Sequence, residues 1–378
     1  MKPYKNNYTL KYNWDYSALL WTLLLLLTFF LHNASAQEPS LPQTVMTAAG
    51  QKSEETVTTP PSISNVLTQG VVFIYEDKTP ESSLNLVPGK ILGTAFIVGI
   101  PAPGRPEKSF PFIVTAKHVV AGKSKVLVRF TLKSGNEPGF AQYDLKELRR
   151  SNDLYEHPHD EGVDLIVWRT LVYDRVKFIM FPIDWIASVE TFSKEYIDIA
   201  DRVMIPCLMA NYPGITQNYP IFRDGTIALI TEEPISFKWE LGGRWIPTSQ
   251  RIIFINSILN EGFSGAPVFL WPGLRLTPKG HRIGGKPWLV GIVHGFFPQR
   301  RELIDAEGKI VIIEKRDPGV LGQINPPKQV LVYSRENPGT GLVFPAWRLL
   351  DILQCDAVKK RVQELMDEEI PKEKKNSD

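Results

Sequence analysis

The feature that most constrains this chain is a succession of short apolar runs punctuated by turn residues. "GVVFIYE", "KILGTAFIVGI", "PFIVTA", "KVLVRFTL", "GVDLIVWRT" and "DRVMIPCLMA" lead on to "GTIALIT", "RIIFINSIL", "GAPVFLW", "WLVGIVHGFF", "KIVIIEK", "QVLVYS" and "TGLVFP". They are rich in Val, Ile and Phe and bounded by Gly, Pro, Asn and Asp, which are strand and turn signals. So many at close spacing predict an all-β sandwich or a pair of barrels, and 378 residues suffice for one large or two medium domains. "YDLKELRR" and "FPIDWIASVE" interrupt the series as short helices or turns. After Pro345, Trp347, Leu350, Leu353, Val358, Val362 and Leu365 recur at helical spacing. This predicts an amphipathic helix over 346–370, followed by a solvated tail over 371–378.

The N-terminus reads as an export signal. Lys2, Lys5 and Lys11 precede an apolar run from Ala18 to Leu31, and Ala34 and Ala36 supply the small residues of a cleavage site. Cleavage after Ala36 predicts a secreted or periplasmic chain. The run falls short of the roughly 20 residues of a spanning helix, so no stable membrane insertion is expected after cleavage. An uncleaved anchor is the alternative, because Tyr12, Trp14 and Tyr16 extend the apolar flank. Residues 37–65 are rich in Thr, Ser, Pro and Gln and read as a disordered linker. The formal charge of +2 resides in the first 36 residues, so the remaining chain is neutral. That gives no electrostatic case for nucleic acid as a partner.

Three local patterns carry chemistry. His118 in "PFIVTAKHVV" ends an apolar strand behind the small residues Thr115 and Ala116. Asp164 in "EGVDLIVW" leads straight into a buried strand, a costly place for a carboxylate without partners. Taken singly, a structural histidine and a locally bonded aspartate explain these two. The third is Ser264, between Gly262-Phe263 and Gly265. A hydroxyl nucleophile needs a base and the base an orienting group. The developing oxyanion needs N–H donors, for which those of Gly262 and Ser264 are the candidates.

In order along the chain, "GTAFIVG", "VTAKHVV", "VDLIVW", "EGFSGAPVF" and "LVGIVHGF" resemble the chymotrypsin-fold, trypsin-like serine proteases. The nearer resemblance is to the bacterial branch of glutamyl endopeptidases and heat-shock Htr-type proteases, without a PDZ domain. The resemblance implies two six-stranded antiparallel Greek-key barrels, at 66–190 and 191–345, and a serine endopeptidase acting on protein or peptide through an acyl-enzyme. It implies catalytic His118, Asp164 and Ser264 and no cofactor. The spacings of 46 and 100 residues suit one barrel carrying His and Asp and a second carrying Ser. A catalytically inactive module binding peptides or proteins in the same cleft is the alternative. Phe263 departs from the Asp or Asn that relatives carry before the serine.

The resemblance also implies a substrate-binding set of Glu261, Phe263, His294, Gly295 and Phe296. A strand histidine recognises an acidic side chain in glutamyl endopeptidases; alternatively, His294 hydrogen-bonds Asp164. Cys207 and Cys355 are either a disulfide or two free thiols. His157, His159, Asp160 and Glu161 are metal-ligand types, but in "YEHPHDEG" they read as a solvated loop, and no metal site is predicted.

Overall fold

A computed structural model describes residues 62–375 apart from 172–173, 210, 283, 297–298, 303–311, 316–327, 332 and 337–338. The expected signal peptide and nearly all of the linker lie outside the described residues. Helix α1 (Ile63–Gln69) starts slightly ahead of the expected order at Val66, its N-terminus capped by the Ser62 hydroxyl.

The fold is all-β with C-terminal helices. Nine strands form the first sheet: β1 (Val71–Asp77), β2 (Pro88–Ala102), β3 (Arg105–Thr115), β4 (Lys125–Leu132), β5 (Pro138–Asp144), β6 (Leu154–Glu156), β7 (Ile166–Arg169), β8 (Val176–Lys177) and β9 (Phe181–Pro182). The order is β5-β4-β1-β2-β3-β7-β6, with β8 on β4 and β9 parallel to β2. Its ladder does not close into a ring among the described residues.

The second half contains β10 (Arg202–Cys207), β11 (Ile221–Ile230), the hairpin β12 (Ile235–Leu241) and β13 (Arg244–Gln250), β14 (Ile253–Asn256) and β15 (Pro267–Leu270). A small pair follows, β16 (Arg275–Thr277) and β17 (Gly280–Arg282), then β18 (Leu289–Phe296). Two further pairs join β19 (Gln299–Glu302) to β22 (Tyr333–Glu336) and β20 (Ile312–Lys315) to β21 (Lys328–Leu331). The last strand is β23 (Thr340–Pro345). A closed six-stranded barrel runs β10-β11-β14-β23-β18-β15, a ring in which the chain's fourth, fifth and sixth barrel strands return in reverse order.

Side-chain alternation explains why the runs are apolar throughout. Along β2, Ala95 and Ile97 enter one core while Phe96 and Val98 enter another; on β3, Ile113 opposes Phe112 and Val114. With period 2, a strand apolar at every position is buried on both faces. The second core joins this sheet to Met204, Phe269, Ile292 and Phe344 of the barrel strands, and to Leu349, Ile352, Val362 and Leu365 of the terminal helices. The barrel interior is a third, built on Val203, Ile205, Ile255, Val268, Val293 and Val343.

The two interrupting segments hold α2 (Leu145–Arg150), a 3-10 turn at Ile183–Trp185 and the start of α3 (Val189–Lys194). The terminal helix is two, α4 (Ala346–Leu353) and α5 (Asp356–Lys375), broken at Gln354–Cys355 and running into the expected tail.

Candidate active site

His118 lies in a single 3-10 turn, Lys117–Val120, directly after β3. Its backbone N–H donates to Asp164 Oδ1 at 2.8 Å and its ring Nδ1 to Oδ2 at 2.6 Å. One residue thereby engages both carboxylate oxygens. Asp164 is fully buried, a position that is costly for a carboxylate unless charge-assisted donors surround it. The Lys117 N–H donates to the Asp164 carbonyl at 3.2 Å, stitching turn to strand.

A third donor completes the carboxylate. His294 of β18 places Nδ1 2.5 Å from the same Oδ2, and the two imidazole rings meet edge to face with centroids 5.2 Å apart. Both rings are assigned the tautomer with hydrogen on Nδ1, because a carboxylate only accepts. Burial pushes the Asp164 carboxyl up, but the charges and hydrogen bonds of His118 and His294 outweigh it and hold the group well below the usual carboxylate range. Burial likewise pulls the His118 imidazole down, and the opposing Asp164 charge and hydrogen bond leave it above its ordinary 6.5. Ligand-type atoms of His118, Asp164 and His294 fall within 4.8 Å of one another. Their N···O separations are direct donor–acceptor contacts, too short for an ion to lie between them.

Ser264 sits in the turn between β14 and β15. Gly262 has φ +92° and Gly265 φ +85°, the left-handed region that glycine occupies without a steric penalty. A Cβ on Gly265 would strike Thr115 Oγ1 and the Thr94 carbonyl. The bare glycine is what lets the serine turn press against the end of β3, just ahead of His118. Thr94 of β2 is fully buried. Its hydroxyl donates to the Gly262 carbonyl at 2.7 Å and accepts from the Leu208 N–H at 3.0 Å, while its N–H donates to the Ser264 carbonyl at 3.0 Å. Among the described residues the N–H groups of Gly262 and Ser264 donate to nothing, whereas those of Phe263, Gly265 and Ala266 are all engaged.

The Ser264 hydroxyl donates to the His294 carbonyl at 3.1 Å. Among the described residues no hydrogen bond joins it to His118. The His118 side chain is 26% exposed, with Nε2 making no hydrogen bond there. His294 thus connects the two halves of the site, touching Asp164 through its ring and Ser264 through its backbone.

The expected substrate-binding residues divide. Phe263 is 2% exposed and packs inside the barrel core, so it offers no surface to a ligand, contrary to expectation; a bulky apolar side chain in this turn points inward. His294 Nδ1 is committed to Asp164, as in the second of its two expected roles. Gly295 faces open space on its missing side chain's side, Phe296 is partly buried against the barrel core, and Glu261 is exposed.

The hairpin β12–β13 is the part that sequence reasoning missed. Its Phe237 and Trp239 lie against the His294 ring with centroids at 5.7 and 6.1 Å. Thr248 donates to the Gly162 carbonyl at 3.0 Å and Gln250 to Asp160 Oδ2 at 2.5 Å, tying the hairpin to the loop that leads into Asp164. Lys117, nearly buried, reaches Glu156 at 3.2 Å and the Glu161 carbonyl at 2.9 Å, 5.7 Å above the Trp239 ring. The signal was present in "ISFKWEL", where Phe237 and Trp239 alternate with Ser236, Lys238 and Glu240.

Cys207 and Cys355 are both free thiols, which removes the disulfide alternative. Cys207 points into the barrel interior, whereas Cys355 packs at the helix break against the core shared by the two halves. Burial pushes the Cys207 thiol up to about 12, with Arg223 opposing. In the "YEHPHDEG" loop, His157 reaches Asp351 at 3.2 Å and Asp160 is taken by Gln250 and the Gly162 N–H. Those side chains serve the fold separately.

No protein-family model matches the chain, and no curated protein does. Among solved structures it is similar to the crystal structure of the Rv3671c protease from M. tuberculosis in its active form, at 16% identity and a TM-score of 0.36, with 85% of this chain and 93% of that one covered. At that score the likeness carries no argument about activity.

Proposed function

We propose that this chain is a serine endopeptidase in which Ser264 is the nucleophile, His118 the general base and then acid, and Asp164 the group that orients the imidazole. The observation that carries the reading is the pairing of His118 with a fully buried Asp164, beside a serine turn with two N–H groups that donate to nothing among the described residues. A base above its ordinary pKa, a fixed tautomer and unpaired backbone donors are what acyl transfer requires.

The hydroxyl of Ser264 turns from the His294 carbonyl onto His118 Nε2 and attacks the scissile carbonyl. Its proton passes to Nε2, and the oxyanion settles on the N–H groups of Gly262 and Ser264. The imidazolium, held by Asp164, then gives that proton to the leaving amine. Water repeats the sequence to release the acid. Past the β15 rung at Pro267–Ile292 and the Val293 bonds to Gly265 and Ala266, no strand among the described residues pairs with that side of β18 from His294 to Phe296, the place for substrate backbone to add as a strand. Because His294 Nδ1 serves Asp164, we assign no preference for acidic side chains.

The substrate is protein or peptide, and no cofactor enters the chemistry. Export, with cleavage after Ala36, belongs to the same proposal; N-terminal sequencing of the secreted protein would begin at Gln37, and an intact N-terminus would point to the anchored form instead. A second reading has one observation in its favour: Ser264 donates to the His294 carbonyl and not to His118, as in a catalytically silent peptide-binding module. Hydrolysis of casein decides between them. Ser264→Ala is expected to remove turnover by a factor on the order of a million; undiminished hydrolysis in that variant rejects the assignment, and its absence in the wild type favours the binding module.

A further inference from the structure

We propose that His294 is a positioning residue for the Asp164–His118 pair and that it restrains the basicity of His118. The inference rests on the proteolytic reading only for its kinetic consequence.

Two imidazoles reach one carboxylate oxygen from separate elements, His118 from the turn after β3 at 2.6 Å and His294 from β18 at 2.5 Å. The His118 N–H occupies the other oxygen at 2.8 Å. Packing holds the His294 ring in place: Phe344 lies 5.5 Å away and Phe237 5.7 Å away between centroids, with Trp239 behind at 6.1 Å. A ring so enclosed keeps one orientation, and its Nδ1 carries a hydrogen both in the charged form and in the tautomer that this contact demands.

A second donor on Oδ2 draws on negative charge that an imidazolium at His118 would otherwise have to itself. Protonation of His118 is therefore less favoured than beside a carboxylate with a single imidazole partner. The same donor fixes the carboxylate plane, so Oδ2 cannot swing away when the His118 ring moves with its proton. His294 also accepts the Ser264 hydroxyl through its backbone carbonyl at 3.1 Å, which a side-chain substitution leaves in place. The side-chain role and the backbone role are thus separable by experiment.

The other charged groups around the pair are accounted for. Lys117 is bound to Glu156 and the Glu161 carbonyl, and Asp160 to Gln250. Lys238 and Glu240 of β12 are exposed, alternating with Phe237 and Trp239, and Glu261 is exposed. Neither β18 nor β23 brings another titratable side chain.

The test compares the full-length wild type with His294→Leu, which fills the space without a donor, and His294→Asn, whose amide N–H replaces the Nδ1–H. Nitrogen-15 histidine spectra are followed against pH, together with kcat and KM on a peptide ester. In the wild type both Nδ1–H protons give low-field signals. With leucine one signal is lost, the His118 midpoint rises by about one pH unit, and kcat falls roughly tenfold at constant KM. Asparagine returns the midpoint to its wild-type value. A leucine variant whose His118 midpoint does not move, or an asparagine variant that fails to restore it, overturns the proposal. If the leucine variant does not fold, an asparagine midpoint displaced by a full unit overturns it, and an unmoved midpoint with a single low-field signal supports it. The spectra read out even on a protein that hydrolyses nothing, so failure of the proteolytic reading is told apart from failure of this one.

Discussion

The hydroxyl of Thr94 donates to the carbonyl of Gly262 at 2.7 Å across 168 residues of sequence. That bond joins the first sheet to the turn that carries the serine and holds the Gly262–Phe263 peptide, next to a Gly262 N–H that donates to nothing among the described residues. Thr94→Val keeps the shape but leaves the Gly262 carbonyl and the Leu208 N–H without a partner. A stability loss of about 1–3 kcal/mol is expected, together with slower acylation at Ser264. Thermal unfolding and the rate of labelling by an activated ester measure the two effects. A variant as stable and as fast as the wild type removes Thr94 from the account.

Gly265 leaves no room for a side chain between the serine turn and strands β2 and β3. An added methyl meets the Thr94 carbonyl and Thr115 Oγ1 at a backbone of φ +85°. Gly265→Ala is therefore expected to cost about 2 kcal/mol or more and to abolish acylation through displacement of Ser264. Calorimetry with labelling on the same sample checks it, and an unperturbed alanine variant contradicts the packing described.

The pH dependence follows from His118. General-base catalysis needs the neutral ring, and the ring's pKa is raised from 6.5 by Asp164. Activity should therefore climb with pH through a midpoint above 6.5, with Asp164 ionised throughout. Stability runs the other way: the charged pairing is complete below the unfolded value near 6.5 and is lost as pH rises through the folded one. Asp164→Asn should abolish the displacement of the His118 midpoint, and a midpoint below 6.5 in the wild type contradicts the pairing.

Cys207 should resist reagents for thiols. Its pKa is pushed up to about 12 and its side chain is buried in the barrel, so little thiolate forms at pH 8 and little of it is accessible. A disulfide-exchange reagent should modify Cys355 first and Cys207 only with unfolding. Rapid native modification of both contradicts the barrel packing.

Much of this was legible in the sequence because local patterns carried it. The apolar runs of β2, β3 and β7 foretold strands, and Gly262 and Gly265 marked a tight bend around Ser264. Bringing His118 to Asp164 required only that the two apolar strands beside them pair, as Thr115 and Ile166 do. What stayed hidden depended on distant packing. Phe237 and Trp239 alternate with polar residues in a hairpin apart from the apolar runs, and alternation marks a strand without saying what it packs against, so its place against His294 was not visible. The role of Thr94 rests on three partners spread over the chain. Phe263 looked like a pocket wall because its neighbours bear the chemistry, yet its size and apolarity direct it into the barrel. The all-β fold with a closed six-stranded barrel agrees with what the resemblance implied; among the described residues the ladder of the first sheet, with its three- and two-residue strands β6, β8 and β9, is not closed.

The central claim is that Ser264 is made nucleophilic by His118 and Asp164. The most direct measurement is mass spectrometry of the folded protein after treatment with a fluorophosphonate, which bonds covalently to an activated serine hydroxyl. The account predicts a single adduct on the peptide containing Ser264, absent from Ser264→Ala and strongly slowed in His118→Ala. A folded wild-type protein that acquires no adduct at Ser264, or acquires it at the same rate without His118, would contradict it.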